Sequence, residues 1–315
     1  MKNKALRVVG LVLMIASAGF ICYRLFKLDL SSLEFEFTTS SVSLMIAALF
    51  LETFTVLFLG LLFSRNIGKG RDGSKVPVKE AVLVYCRANL GKYIPGNVFQ
   101  YVERNLFFST YGISHTDTVI ASLLEVMCLI VSACVLSLAF GNYEVIGEAI
   151  EEYGYIIPVL CVLAVLVVIV GVIVLRKKKK SLGSILKRLK ERGGFGLIAL
   201  DLVCYAGVLL AMGTVTLIVC SAMIPAGADG PELTGLLGAY IAAWLCGFII
   251  IGAPGGIGVR EAVFSLIYIN TPYLDTVLTL SVVVRVISII ADVLAFVIIR
   301  LICGRKLSQS DPKVS

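Results

Sequence analysis

Two Pro-Gly pairs, each set inside an apolar run, constrain this chain more than any other feature. The first reads Gly91-Lys92-Tyr93-Ile94-Pro95-Gly96-Asn97-Val98-Phe99, the second Gly252-Ala253-Pro254-Gly255-Gly256-Ile257-Gly258-Val259-Arg260-Glu261. Proline removes a backbone donor and turns the preceding residue away from helical geometry. Unpaired backbone in hydrocarbon costs several kcal/mol per group, so such breaks persist only where protein or a wet cavity surrounds them. One break in each half of a chain points to a substrate site of the transporter kind.

The surrounding runs are long enough for this argument to apply. The 315 residues are 58% hydrophobic and 16% charged, against about half and about a quarter in a soluble domain. Apolar runs of roughly 20 residues recur, each able to cross about 30 Å of hydrocarbon. The chain therefore reads as an all-α polytopic membrane protein. No polar stretch is long enough to hold a soluble catalytic core.

The runs fall at residues 6–26, 42–63, 116–140, 155–175, 195–220 and 276–303, with broken stretches at 81–108 and 234–269. Ala16-Ser17-Ala18 has the form of a signal-peptidase site, but the apolar run continues past it, so an uncleaved span is expected. The net charge of +7 gathers in the loops after Arg65 and Arg176 and in the tail at Arg305 and Lys306. The acidic segment 142–154 and the loop 221–233 carry no lysine or arginine. By the positive-inside rule the basic loops and both termini are cytoplasmic. The basic balance thus reports topology, not nucleic-acid binding. Arg24 and Lys27 are the only basic residues on the wrong side.

With that orientation, residues 42–140 and 195–303 become two halves of opposite direction within one domain, 1–304, followed by a short tail, 305–315. Each half is a span, a broken hairpin and a returning span. The expected fold is six full spans and two re-entrant hairpins in an inverted repeat. Glu125 lies thirty residues past Pro95, and Arg285 thirty-one past Pro254; Glu103-Arg104 and Arg260-Glu261 follow their breaks closely. One alternative is that each Pro-Gly is an ordinary turn in a cytoplasmic loop, or a kink; a rival topology of eight spans has 234–252 cross fully and 257–269 return as a short eighth span. The position of Gly255, mid-membrane or cytoplasmic, separates the re-entrant topology from the eight-span one.

Glu52, Glu125, Asp201, Arg285 and Asp292 fall inside predicted spans, at about 2.5–3.5 kcal/mol each near a helix centre. They should face protein or a wet cavity. Arg285 and Asp292 are seven residues apart, about 10 Å of rise, so each needs a partner from another element. Glu125 and Glu261 are candidates for Arg285. Asp201, near a span end, reads as a structural ion pair. The nine cysteines form no CxxC pair, and the single histidine, His115, sits in helix-start polarity. No metal or cofactor site is expected.

Lys92-Tyr93-Ile94-Pro95-Gly96, Ala121 to Glu125 and, above all, Ala253-Pro254-Gly255-Gly256-Ile257-Gly258-Val259-Arg260-Glu261-Ala262 resemble the lysylphosphatidylglycerol synthase transmembrane (flippase-domain) family. The resemblance implies movement of lipid between leaflets of the cell membrane. Two-part relatives flip the aminoacylated phosphatidylglycerol made by an attached soluble synthase domain; others accompany lipid-linked sugar assembly. The chain stops at Ser315, so aminoacyl transfer is not an activity expected of it.

The reading is a lipid translocase for a phospholipid, aminoacylated phosphatidylglycerol or lipid-linked sugar. Its expected substrate-binding residues are Pro95, Gly96, Glu103, Arg104, Glu125, Pro254, Gly255, Gly256, Arg260, Glu261 and Arg285. An aminoacyl-lipid synthase or a glycosyltransferase is the partner such a module would serve. The alternatives are a membrane subunit of a lysyltransferase or lipid glycosyltransferase, and a non-transporting scaffold. No catalytic, nucleotide-binding or nucleophile motif supports the first of these.

Overall fold

The computed structural model describes residues 38–67, 76–93, 99–141, 194–224, 229–250 and 254–304. The expected spans at 6–26 and 155–175, the segments 142–154 and 176–192, the tail from 305, and Pro95 and Gly96 lie outside these residues. Every regular element described is helical.

A long helix α1 (Thr39–Asn66) leads to a short α2 (Val78–Asn89) and a 3₁₀ turn (Leu90–Tyr93). Past the first break come a short α3 (Phe99–Thr110) and a long α4 (His115–Ala139). The order then recurs: α5 (Gly194–Met223), α6 (Leu233–Ile249), a 3₁₀ turn (Pro254–Gly256), α7 (Val259–Ile267) and α8 (Leu274–Cys303). Side-chain caps start two of the long helices. The Thr38 hydroxyl accepts from the Ser41 amide at 3.1 Å. Ser114 accepts from the Asp117 amide at 3.1 Å, the polar helix start expected around His115.

Four helices, α1, α4, α5 (from Gly196) and α8, are long and apolar enough to cross a membrane. Their outward faces are greasy: Phe50, Val203 and Leu301 are 70%, 68% and 76% exposed. Apolar side chains this open are stable only against lipid or another protein. The helices of 12 and 9 residues reach only about 18 and about 14 Å, too short to cross alone.

Packing between the two sets is reciprocal. The opening helices α1 and α5 lie together, α4 packs on α5 and α6, and α8 packs on α1 and α2. Arg65, at the end of α1, pairs with Asp201 near the start of α5, so these helices run in opposite directions. The α2–α3 pair enters from the α8 C-terminal end, where the Cys303 thiol donates to the Lys79 carbonyl at 3.4 Å. The α6–α7 pair enters from the other end, since α7 leads directly into the start of α8. The two 3₁₀ turns meet between them.

The second break needs its glycines. Gly255, Gly256 and Gly258 have φ of +59°, +74° and +82°, conformations that side chains bearing a Cβ resist. A Cβ on Gly256 would also stand 2.9 Å from the Gly247 Cα. Two glycines back to back let the break lie on α6.

Candidate functional site

The described helices enclose a cavity of about 100 Å³ lined by residues of α1 to α8 and of both 3₁₀ turns, with room for several waters. Its charged groups fall into three locked clusters and two groups left over.

On one wall, the fully buried Arg104 of α3 gives a hydrogen bond to Glu125 of α4 at 2.6 Å. The Tyr85 hydroxyl donates to the other Glu125 oxygen at 2.5 Å. The guanidinium lies over the Tyr85 ring at 4.0 Å and within 4.9 Å of the Phe63 ring. Stacking of this kind contributes about 2 kcal/mol or more when desolvated, which helps offset the burial of the ion pair.

On the opposite wall, Arg285 of α8 pairs with Glu261 of α7 at 2.9 Å. Its terminal nitrogens donate to the Gly255 and Gly256 carbonyls, each at 3.2 Å. Glu261 in turn accepts from the Gly258 amide at 2.7 Å, closing the start of α7 as a capping-box glutamate does. One side chain on a long helix thus satisfies the backbone that the Pro-Gly break sets free. A helix N-terminus attracts anions through its free amides, and the α7 N-terminus already carries a carboxylate.

Between the breaks, the buried Asp292 of α8 takes the Asn89 amide at 2.7 Å, the Tyr93 hydroxyl at 2.5 Å and Lys92 at 2.7 Å. Arg285 and Asp292 bracket the middle of the 30-residue α8, one holding each break. The Gly255 Cβ position stands 3.2 Å from the Tyr93 ring, so the two 3₁₀ turns touch.

Arg260 and Glu52 remain. Arg260 extends along Gly247, with its guanidinium 5.9 Å from the Trp244 ring centre. Its Nε is buried without a hydrogen-bond partner, and among the described residues no carboxylate pairs with it. Glu52, 2% exposed, accepts only from the Ser288 hydroxyl at 3.1 Å; its other oxygen has no partner.

Of the sequence-predicted residues, Arg104, Gly255, Arg260, Arg285 and Glu125 line the cavity. Glu261 and the Gly256 carbonyl stand behind Arg285. The Pro254 backbone opens the second 3₁₀ turn. Glu103 is not brought in: it is partly exposed and pairs with Arg87 at 2.7 Å. Asp201 is wholly buried against Arg65, away from the cavity lining, as its place near a span end suggests. Of the candidates for Arg285, the partner is Glu261; Glu125 belongs to Arg104.

The residues expected from sequence to bind substrate do not include Lys92, Tyr93, Asn89, Tyr85, Trp244, Glu52 and Asp292, which the structure places at the site. Lys92 and Tyr93 stand in the first break motif, and Glu52 and Asp292 are charges in predicted spans, so both signals were present. Asn89, Tyr85 and Trp244, the sole tryptophan, carry no such mark, because ordinary helix residues acquire a role only through the groups they meet.

Long apolar helices around a buried, charged cavity define a multi-pass helical membrane protein. The sequence model of the lysylphosphatidylglycerol synthase TM region matches residues 7–295, most of the chain, and the protein belongs to that family. Comparison with curated proteins returns no match.

Proposed function

We propose that the protein is a lipid translocase of the cell membrane that passes a phosphate-bearing headgroup between leaflets through the cavity at Arg260. One observation carries this reading. Three of the four cavity cations are neutralised by neighbouring carboxylates, and Arg260 alone among the described residues is not. A partly exposed guanidinium with no carboxylate partner, braced by Trp244, suits bidentate contact with phosphate. The acyl chains would stay in lipid, against the apolar faces of the long helices. Phospholipids, aminoacylated phosphatidylglycerol and lipid-linked sugars all present such a headgroup.

In this reading the α2–α3 and α6–α7 hairpins are re-entrant and mirror-related, within six full spans, with both termini cytoplasmic. Support comes from the short hairpin helices, their entry from opposite ends, and Gly255 resting against Arg285 near the middle of α8. Non-helical backbone at that depth is tolerable where protein satisfies it, which is the work of Arg285.

The test is leaflet exchange of a labelled phospholipid, or of a lipid-linked sugar, in liposomes containing the purified protein. Exchange faster than in empty vesicles, and lost in Arg260→Ala at equal incorporation, is the expected result. No acceleration for any cargo would defeat the proposal.

A further inference from the structure

The formal charges that face or back the cavity balance. Lys92, Arg104, Arg260 and Arg285 stand against Glu52, Glu125, Glu261 and Asp292. Six of these are committed to one another. A headgroup phosphate on Arg260 would add a negative charge to a site that burial makes intolerant of it. Glu52 is the one acid placed to remove that excess. It sits mid-helix in α1, buried, with one oxygen unpartnered.

Its surroundings supply no other remedy. Lys92 and Asp292 face it from the first 3₁₀ turn and α8 but hold each other. Arg260 faces it from α7 and Tyr240 from α6. Of the other acids near α1, Glu125 on α4 is taken by Arg104, and Asp201 on α5 by Arg65 at the far end of the helix.

We propose that Glu52 is a proton site linked to the anion on Arg260: the carboxylate takes up a proton when an anionic headgroup binds and gives it back when the headgroup leaves. The inference rests on the lipid-translocase reading and adds to it a coupling ion. By linkage, headgroup binding and protonation favour each other by the same factor. The proton comes from water on the side where the lipid enters and returns to water where it leaves. An anionic headgroup then crosses with no net charge, so a proton gradient can drive it. A zwitterionic phospholipid carries its own cation and needs no such proton.

The test is an infrared titration of the protonated-carboxyl band of the full chain, in nanodiscs of phosphatidylcholine with or without phosphatidylglycerol. In the wild type the band should titrate at higher pH when phosphatidylglycerol is present. It should be missing in Glu52→Gln, and in Arg260→Gln the lipid dependence should vanish. A midpoint indifferent to phosphatidylglycerol would overturn the proposal, as would a band unchanged in Glu52→Gln. So would a shift that persists in Arg260→Gln, since that reports membrane surface charge. The wild-type and Arg260→Gln arms can still overturn the proposal where Glu52→Gln fails to fold. In liposomes, phosphatidylglycerol exchange should rise several-fold from mildly alkaline to mildly acid buffer, and stay flat in Glu52→Gln. Equal pH dependence in both would sink the Glu52 role alone. Normal infrared linkage without any exchange would sink the translocase reading alone.

Discussion

Glu125 of α4 and Arg285 of α8 are counterparts of opposite charge. Each sits about eleven residues into the helix that closes its set, and each grips the short helix just before it: Glu125 holds Arg104, and Arg285 holds Glu261. The acid–base order is reversed between the two sets. Each pair is neutral, so a buried cavity can carry both walls without net charge.

The Arg104–Glu125 pair is buried, so removing one partner leaves the other's charge uncompensated. Arg104→Ala should leave Glu125 buried beside a lone tyrosine and cost about 3–5 kcal/mol. Thermal unfolding in detergent should show a large fall in midpoint. The exchanged double variant Arg104→Glu with Glu125→Arg should recover part of it.

Arg285→Lys keeps the charge but cannot reach Glu261 and two carbonyls together. The backbone from Gly255 to Gly258 should then lose protection. Hydrogen–deuterium exchange read by mass spectrometry should rise there and stay unchanged at the Arg104 wall. Uniform exchange across the chain would contradict the fastening role.

Arg260 is different because, among the described residues, no carboxylate pairs with it. Arg260→Ala should abolish lipid exchange while changing stability by less than about 1 kcal/mol, within the range of ordinary single substitutions. A collapse in stability comparable to that of Arg104→Ala would make Arg260 a structural residue.

Gly256→Ala tests the break itself. A left-handed residue with a Cβ costs about 1–2 kcal/mol, and this Cβ would press on Gly247 besides. The unfolding midpoint should fall clearly, and Gly196→Ala, with open space around its Cβ position, should change it little.

Much of the protein's class is legible in its sequence. Apolar runs long enough to span, two Pro-Gly breaks and a family motif fixed the class of protein, because length and hydropathy are local properties that lipid selects directly. The boundaries of the long described helices moved by only a few residues: α1 covers Thr39–Asn66 where 42–63 was expected. The charges in the spans were visible as costs that demanded partners.

Which partner each charge takes was decided by tertiary structure alone. Sequence offered both Glu125 and Glu261 to Arg285, and only the packing of α7 on α8 chose Glu261. Glu103 and Arg104 are neighbours in the chain, yet a step of one residue turns about 100° around a helix. One side chain therefore meets Arg87 at a partly exposed position and the other enters the core. Spacing along a chain sets what must be buried. The angle at which helices meet sets what remains unpaired, and here it leaves Arg260 and Glu52.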